Sequence, residues 1–215
     1  EILKKGGNAI DAAVATAFAL AVTHPQAGNI GGGGFMVYMN AESAVTTIDF
    51  REKAPLAAST TMFQDENGVF VKGSNREGLK SVGVPGTVAG LYLAHQKYGS
   101  LPWADLVQPS IDLAANGFPM TRTLYNHALK TEAWPPSMDI MMDYFRNEDG
   151  ALVQPGELWV QPSLANTLKL IRNEGHDGFY KGEVAEEIAR YMKGNRGIIT
   201  TEDLEKYTAI ERAPV

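Results

Sequence analysis

The sequence predicts a mixed fold of helices and strands, of the α/β (α+β) class. An alanine-rich segment, 9–22, has the composition of a helix. Two β-rich runs, 34–39 and 45–50, are joined by a short polar stretch, which is typical of a β-hairpin. The second half of the chain contains several helical segments that end at glycine or proline.

The composition indicates a globular protein and excludes several kinds of site. The chain has 215 residues, of which 44% are hydrophobic, so it can bury a core. A net charge of -6 without a basic block argues against a nucleic-acid partner. The absence of cysteine excludes disulfides and thiolate ligands, and the four histidines are scattered. The sequence therefore indicates no metal site and no cofactor.

The two ends of the sequence suggest a piece of a longer protein. The longest uncharged apolar run near the start, 12–22, is too short to span a bilayer, and no signal peptide or membrane contact is evident. The chain begins at Glu1 without a methionine and stops at Val215. We expect residues 1–215 to be one partial domain with both ends cut.

The first helix is predicted to be buried. Asn8 is suited to the N-cap, and Asp11 follows in the first turn, where a negative charge is favourable. Segment 9–22 has no polar face, which predicts burial on all sides and packing against the sheet that contains the hairpin.

Four glycines, Gly31–Gly34, precede the first strand, and a single arginine follows the second. If Met39 pairs near Val45, antiparallel geometry places Arg51 opposite Gly33, within about two residues. The guanidinium would then lie over backbone that carries no side chains, which leaves room for a ligand.

Arg51 has two possible roles at this stage. Its planar guanidinium can bind a carboxylate or phosphate through two hydrogen bonds. It can also form an ordinary ion pair with Glu52 or Asp49, and from the spacing alone we favour this ion pair. The glycines are not a nucleotide motif, because they lie between a helix and a strand and no Gly-Lys-Ser or Gly-Lys-Thr follows.

The remaining elements are predicted from caps, turns and breakers. Gly83 and Gly86 either bind an anion at a helix N-terminus or allow close packing, and we favour packing. Thr200 and Thr201 are better explained by an N-cap with Asp203 than by a nucleophile. The predicted elements are a surface excursion over 55–78 with a turn at 65–68, a strand at 81–84, a helix capped by Thr87 and ending at Tyr98, two short helices within 101–117, a helix over 121–133 broken at 134–136, helices over 164–174 and 183–193, and a last helix from Thr200 to Tyr207.

Several segments strongly resemble γ-glutamyltranspeptidases, in the family's order and along nearly the whole chain. They are 6–14, 28–35, Phe50-Arg-Glu-Lys-Ala-Pro55, 82–90, 178–182, 197–207 and 212–215. The resemblance implies an N-terminal-nucleophile hydrolase, a four-layer αββα sandwich made as one precursor that cleaves itself into two subunits. It implies attack of the small subunit's N-terminal threonine on γ-glutamyl amides such as glutathione, and transfer to water or to amino acid or peptide acceptors.

The resemblance covers only the first part of the large subunit. The nucleophilic threonine lies outside this sequence, so no residue here is assigned as catalytic and the segment alone is expected to be inactive. Arg51 matches the family's arginine for the substrate α-carboxylate. The implied partners are the small subunit and the γ-glutamyl substrate, and the implied location is periplasmic or extracellular. A cephalosporin- or glutaryl-acylase-type amidase and a non-catalytic binding homologue are the alternatives.

Overall fold

The computed structural model describes residues 1–131, 143–147 and 149–214. Its helices are α1 (Ala9–Thr23), α2 (Thr87–Tyr98), α3 (Trp103–Asn116), α4 (Arg122–Thr131), α5 (Pro162–Glu174), α6 (Asp177–Tyr180), α7 (Gly182–Gly194) and α8 (Thr201–Glu205). Its strands are β1 (Phe35–Met39), β2 (Val45–Asp49), β3 (Phe118–Pro119), β4 (Leu158–Trp159) and β5 (Ile210–Arg212). Two 3-10 turns cover Leu3–Lys5 and Leu79–Ser81. The mixed helix and strand class is confirmed.

The hairpin has the predicted register. Strands β1 and β2 pair antiparallel, with Met39 opposite Val45 and Phe35 opposite Asp49. The ladder continues to Gly34 and Phe50, where the Phe50 N–H donates to the Gly34 carbonyl at 2.9 Å. Strand β5 pairs with the other side of β2, which gives the order β1-β2-β5.

The predicted cap of α1 is confirmed as a capping box. The Asp11 N–H donates to Asn8 Oδ1 at 3.0 Å, and the Asn8 N–H donates to Asp11 Oδ2 at 2.8 Å. The buried Asp11 carboxylate also accepts from the N–H groups of Ser100 and Leu101. These bonds attach the start of α1 to the connection between α2 and α3.

The predicted surroundings of α1 are wrong in two respects. The helix packs mainly on α3 and α2, and within the described part of the chain the most extensive helix contact of the sheet is that of α2 with β2. It is not buried on all sides, because an exposed stripe follows Ala9, Ala13, Thr16 and Leu20. Alanine loses little free energy when it is exposed, so a uniformly small, apolar helix does not reveal which face is covered.

Two short helices were expected within 101–117, but α3 is continuous through Pro109. Proline removes one backbone hydrogen bond, and buried Leu106 and Ile111 on either side of it stabilise the helix. The strand expected at 81–84 is reduced to a single bridge between Val84 and Lys53.

Most other predicted elements are confirmed. The turn at 65–68 forms, with the Gly68 N–H donating to the Asp65 carbonyl at 3.0 Å. Helices α5 and α7 match their predicted segments closely. The predicted end of α4 at Ala133 and the break at 134–136 lie outside the described residues.

The sheet has two unlike faces. The covered face, formed by Met36, Tyr38, Thr46, Ile48, Phe50 and Glu211, contacts α2 and the main core. The open face is formed by Phe35, Val37, Met39, Val45, Thr47, Asp49, Ile210 and Arg212. On this face of β1, the side chains of Phe35, Val37 and Met39 are 58%, 70% and 63% exposed, respectively. Within the described residues, no helix has both the length and the apolar character needed to cross a bilayer.

Candidate functional site

Arg51 lies where the strand ladder ends. The last ladder pair is Gly34 with Phe50, so Arg51 follows opposite Gly33, as predicted. A Cβ atom on Gly33 would lie closer than 3.0 Å to the Phe50 carbonyl oxygen and the Glu52 nitrogen. Glycine is therefore required at this position for close approach of the two backbones, while Gly33 itself stays exposed.

The Arg51 guanidinium is exposed on the side of the open face. Its Nε lies 3.4 Å from Glu52 Oε2, and its Cζ lies 5.9 Å from the centre of the Phe35 ring. Among the residues that the structure describes, its two terminal amino groups donate no hydrogen bond, since the hydrogen bonds of Arg51 are made by its backbone. These two groups are the ones that bind a carboxylate side by side.

The alternative interpretation, an ordinary ion pair, is present only in a weak form. Glu52 makes a single contact with Arg51 at the surface, and such pairs contribute about 0–1 kcal/mol. Asp49 does not pair with the Arg51 side chain, because its Oδ2 accepts from Arg212 Nε at 2.8 Å. Asp49, one of the two acids expected to pair with the Arg51 side chain, is therefore paired with Arg212 instead.

The backbone around Arg51 is held from several sides. The Arg51 N–H donates to Asp49 Oδ1 at 3.1 Å, and its carbonyl accepts from the Tyr207 hydroxyl at 2.7 Å. Two residues further on, Lys53 exchanges both backbone hydrogen bonds with Val84, at 3.2 and 2.8 Å. These bonds link the arginine to parts of the chain that are distant in sequence.

The glycine run also holds the start of α2. The Gly32 carbonyl accepts from the N–H groups of Gly86 and Thr87, at 2.8 and 3.0 Å. Gly86 therefore occupies the N-cap position that was predicted for Thr87. A Cβ atom on Gly86 would lie closer than 3.0 Å to the Phe50 carbonyl oxygen and the Tyr207 ring. Close packing, rather than an anion site, accounts for this glycine.

Electrostatics keep the groups around Arg51 in defined protonation states. The hydrogen bond from the Arg51 N–H, with the one from Arg212, holds the pKa of Asp49 below its ordinary value. Burial, helped by the negative charges of Asp49 and Glu52, raises the pKa of Tyr207 to about 12. At neutral pH, Asp49 is therefore an anion that accepts and Tyr207 is a neutral phenol that donates.

The N-cap interpretation of the adjacent threonines is confirmed. The Thr200 hydroxyl contacts Asp203 Oδ2 at 2.6 Å, and the Thr200 N–H donates to the same oxygen at 2.7 Å. Asp203 Oδ1 accepts from the Leu56 N–H at 2.6 Å. Burial favours protonation of Asp203, but the hydrogen bonds from Leu56 and Thr200 outweigh it and lower its pKa.

Sequence reasoning missed two neighbours of Arg51. Phe35 was detectable, because the twofold period of the hairpin places it opposite Asp49 and on the same face as Arg51. Tyr207 gave no sequence signal, since it lies 156 residues from Arg51. A cavity of about 530 Å³ between α5, α7 and Gly31 does not include Arg51 among its lining residues.

Comparison with known proteins identifies the family. The family model described as gamma-glutamyltranspeptidase matches residues 1–215. The chain belongs to the γ-glutamyltranspeptidase family. A relative named glutathione hydrolase proenzyme, from Pseudomonas sp. strain A14, is 48% identical over 222 residues. The match covers all of this chain and 37% of the relative, so this chain spans little more than a third of the relative's length.

Solved structures of related proteins have the same fold. The Helicobacter pylori γ-glutamyltranspeptidase superposes with a TM-score of 0.92 at 45% identity, covering all of this chain and 61% of that chain. The cephalosporin acylase from Bacillus halodurans superposes with a TM-score of 0.83 at 31% identity, and the match covers all of this chain and 40% of that chain. The likeness confirms the fold class that the resemblance implied, that of the N-terminal-nucleophile hydrolases.

Proposed function

We propose that this chain is the N-terminal part of the large subunit of an enzyme that cleaves γ-glutamyl amides such as glutathione. The enzyme transfers the γ-glutamyl group to water or to amino acid or peptide acceptors. Family membership over all 215 residues supports this assignment. The observation that carries it is the exposed Arg51 guanidinium, whose two terminal amino groups donate no hydrogen bond among the described residues.

Arg51 binds the α-carboxylate of the γ-glutamyl group. Glu52 lies 3.4 Å from Nε, so the edge that carries the terminal amino groups can bind a carboxylate while Glu52 orients the guanidinium. The carboxylate is several bonds from the reacting amide. Holding it therefore positions the amide carbonyl for attack without taking part in the chemistry.

The nucleophile in this proposal is the N-terminal threonine of a small subunit cut from the same precursor, and its own amine serves as the base. No residue of this chain has a catalytic role, and the chain alone has no turnover. The small subunit packs on the open face, where exposed Phe35, Val37 and Met39 are typical of a surface that a partner covers. The proposed location of the enzyme is periplasmic or extracellular.

Replacement of Arg51 in the complete precursor tests the proposal. The substrates are a γ-glutamyl anilide and a 4-aminobutanoyl anilide, which lacks only the α-carboxylate. An unpaired carboxylate in the site costs roughly 2–5 kcal/mol, so Arg51→Ala should raise KM sharply for the first substrate and remove the preference between them. Arg51→Lys should restore only part of the preference for the γ-glutamyl anilide, because lysine lacks the planar guanidinium.

Arg190→Ala is the matched control, since Arg190 is also an exposed arginine paired with a glutamate. It should keep the parent's preference, and both variants should still split into two subunits on a denaturing gel. A full preference in Arg51→Ala would contradict the carboxylate role. An unprocessed parent would favour the non-catalytic homologue, and a parent that does not prefer the α-carboxylate would favour the acylase-type amidase, whose substrates do not require that contact.

A further inference from the structure

The backbone of Arg51 lies outside the strand ladder yet is fixed on both sides. Strand β2 ends at Asp49, and the last ladder bonds join Phe50 to Gly34. Two side chains take over beyond that point. Asp49 accepts from the Arg51 N–H at 3.1 Å, and the Tyr207 hydroxyl donates to the Arg51 carbonyl at 2.7 Å. The peptide groups before and after the arginine Cα are therefore both tethered.

The Tyr207 tether is part of a packed aromatic assembly. The Tyr207 ring is buried and stacks on Tyr180, with ring centres 5.6 Å apart and planes at 10°. Lys53 Nζ lies 4.9 Å from the centre of the Tyr207 ring and donates to the Thr208 carbonyl at 2.8 Å. The Tyr207 hydroxyl is thus held by the core on one side and by the segment that follows Arg51 on the other.

Glycine at position 86 leaves the space that the Tyr207 hydroxyl occupies. A Cβ atom on Gly86 would lie closer than 3.0 Å to the Tyr207 hydroxyl oxygen and to the Phe50 carbonyl oxygen. Because burial raises the pKa of Tyr207 to about 12, the hydroxyl keeps its proton and remains a donor at neutral pH. A carbonyl can only accept, so this proton is what the contact requires.

We infer that Tyr207 is a positioning residue for the substrate arginine. Its hydroxyl fixes the Arg51 carbonyl, and with Asp49 it sets the direction in which the guanidinium leaves the backbone. This inference rests on the proposed function, in which Arg51 binds the substrate α-carboxylate. Two parallel hydrogen bonds to a carboxylate require a defined guanidinium plane, so a loosened backbone weakens them while the positive charge remains.

The test uses the complete precursor and Tyr207→Phe, which keeps the ring, its stacking on Tyr180 and its contact with Lys53. Loss of one hydrogen bond should lower the preference for the γ-glutamyl anilide over the 4-aminobutanoyl anilide by about threefold to tenfold. The change should appear in KM for the γ-glutamyl anilide, with kcat and turnover of the 4-aminobutanoyl anilide unchanged. A merely structural role would lower the turnover of both substrates.

Tyr180→Phe is the matched control. The Tyr180 hydroxyl lies in the same stack but donates to the Pro85 carbonyl at 2.9 Å and does not contact Arg51. This variant should lose thermal stability and keep the parent's substrate preference. The double variant Arg51→Ala/Tyr207→Phe should show no further loss of preference beyond Arg51→Ala, because the tyrosine acts only through the arginine.

Asp49→Ala is the second variant and should also lower the preference. Arg212→Ala, which removes only the partner of the other Asp49 oxygen, should lower it less. If Arg51→Ala abolishes the preference while Tyr207→Phe and Asp49→Ala keep it in full, the inference is overturned and the proposed function stands. If Arg51→Ala itself keeps the preference, the carboxylate role fails and the inference fails with it.

Discussion

The two faces of the sheet differ in how much of their environment this chain supplies. On the covered face, Ile48 is completely buried and Phe50 packs against the bare backbone of Gly90 in α2. On the open face, Val37 is 70% exposed, and the Arg51 side chain is half exposed or more, beside Glu52 and the Phe35 ring. One strand, β2, contributes alternate residues to both faces.

The difference separates the residues that make this chain fold from those that the proposed enzyme uses. The covered face is complete in itself, because its side chains already have helical neighbours. The open face presents exposed apolar side chains beside an exposed arginine, an arrangement that is stabilised when a partner or ligand binds there.

The largest expected effect is on the free energy of unfolding, when one aliphatic side chain on each face is truncated to alanine. Ile48→Ala should lower the free energy of unfolding by about 2–5 kcal/mol, because it leaves a cavity in the core. Val37→Ala in this chain should change it by no more than about 0.5 kcal/mol. Urea unfolding of the parent and both variants measures this contrast.

The same pair of variants then tests whether the open face is covered. In the complete precursor, Val37→Ala should become clearly destabilising, while the cost of Ile48→Ala should stay similar. An unchanged, negligible cost for Val37→Ala in both proteins would mean that no partner packs on this face.

An intermediate effect is expected where α2 meets the covered face. Gly90→Ala places a methyl group closer than 3.0 Å to the Phe50 ring, so it should destabilise by about 1–3 kcal/mol. This loss occurs although alanine is favoured over glycine within helices. Gly194→Ala in α7 has open space around it and should be neutral or slightly stabilising. Thermal melts compare the two, and equal effects would contradict the close packing at Gly90.

The smallest expected effect concerns pH at the edge of the covered face. Hydrogen bonds from Lys97, Tyr98 and Thr46 lower the pKa of Glu211 from 4.5 to about 2. A depressed carboxyl pKa stabilises the fold above pH 4.5, and that contribution is lost as the pH falls toward 2. The loss should be about 1 kcal/mol or less, because the side chain is partly exposed.

Glu211→Gln should flatten this part of the pH dependence, measured as unfolding free energy from pH 5 to about 2.5. A variant with the parent's slope would show that Glu211 does not contribute to acid sensitivity. Thr46, whose hydroxyl lies 2.8 Å from Glu211, provides an independent variant, Thr46→Val, with a smaller expected change.

Local signals predicted the hairpin and the helix caps at Asn8 and Thr200, but not the cap of α2, and long-range contacts had no signal. The register followed from strand and loop lengths, which is why Arg51 was placed opposite Gly33. The surroundings of α1 were wrong because an alanine-rich helix carries no information about which neighbour covers it. Nothing local in the sequence connects Tyr207 to Arg51.

The hydrogen bonds that hold the surroundings of Arg51 can form only late in synthesis. The bonds from Tyr207 to Arg51 and from Arg212 to Asp49 join residues 156 and 163 positions apart. A ribosome makes the glycine run and the hairpin early, but the tyrosine that holds the arginine emerges roughly ten seconds or more later at ordinary rates of synthesis. The arginine is therefore made early and fixed late, and a chain that stops before residue 207 carries the guanidinium without the hydroxyl that orients it.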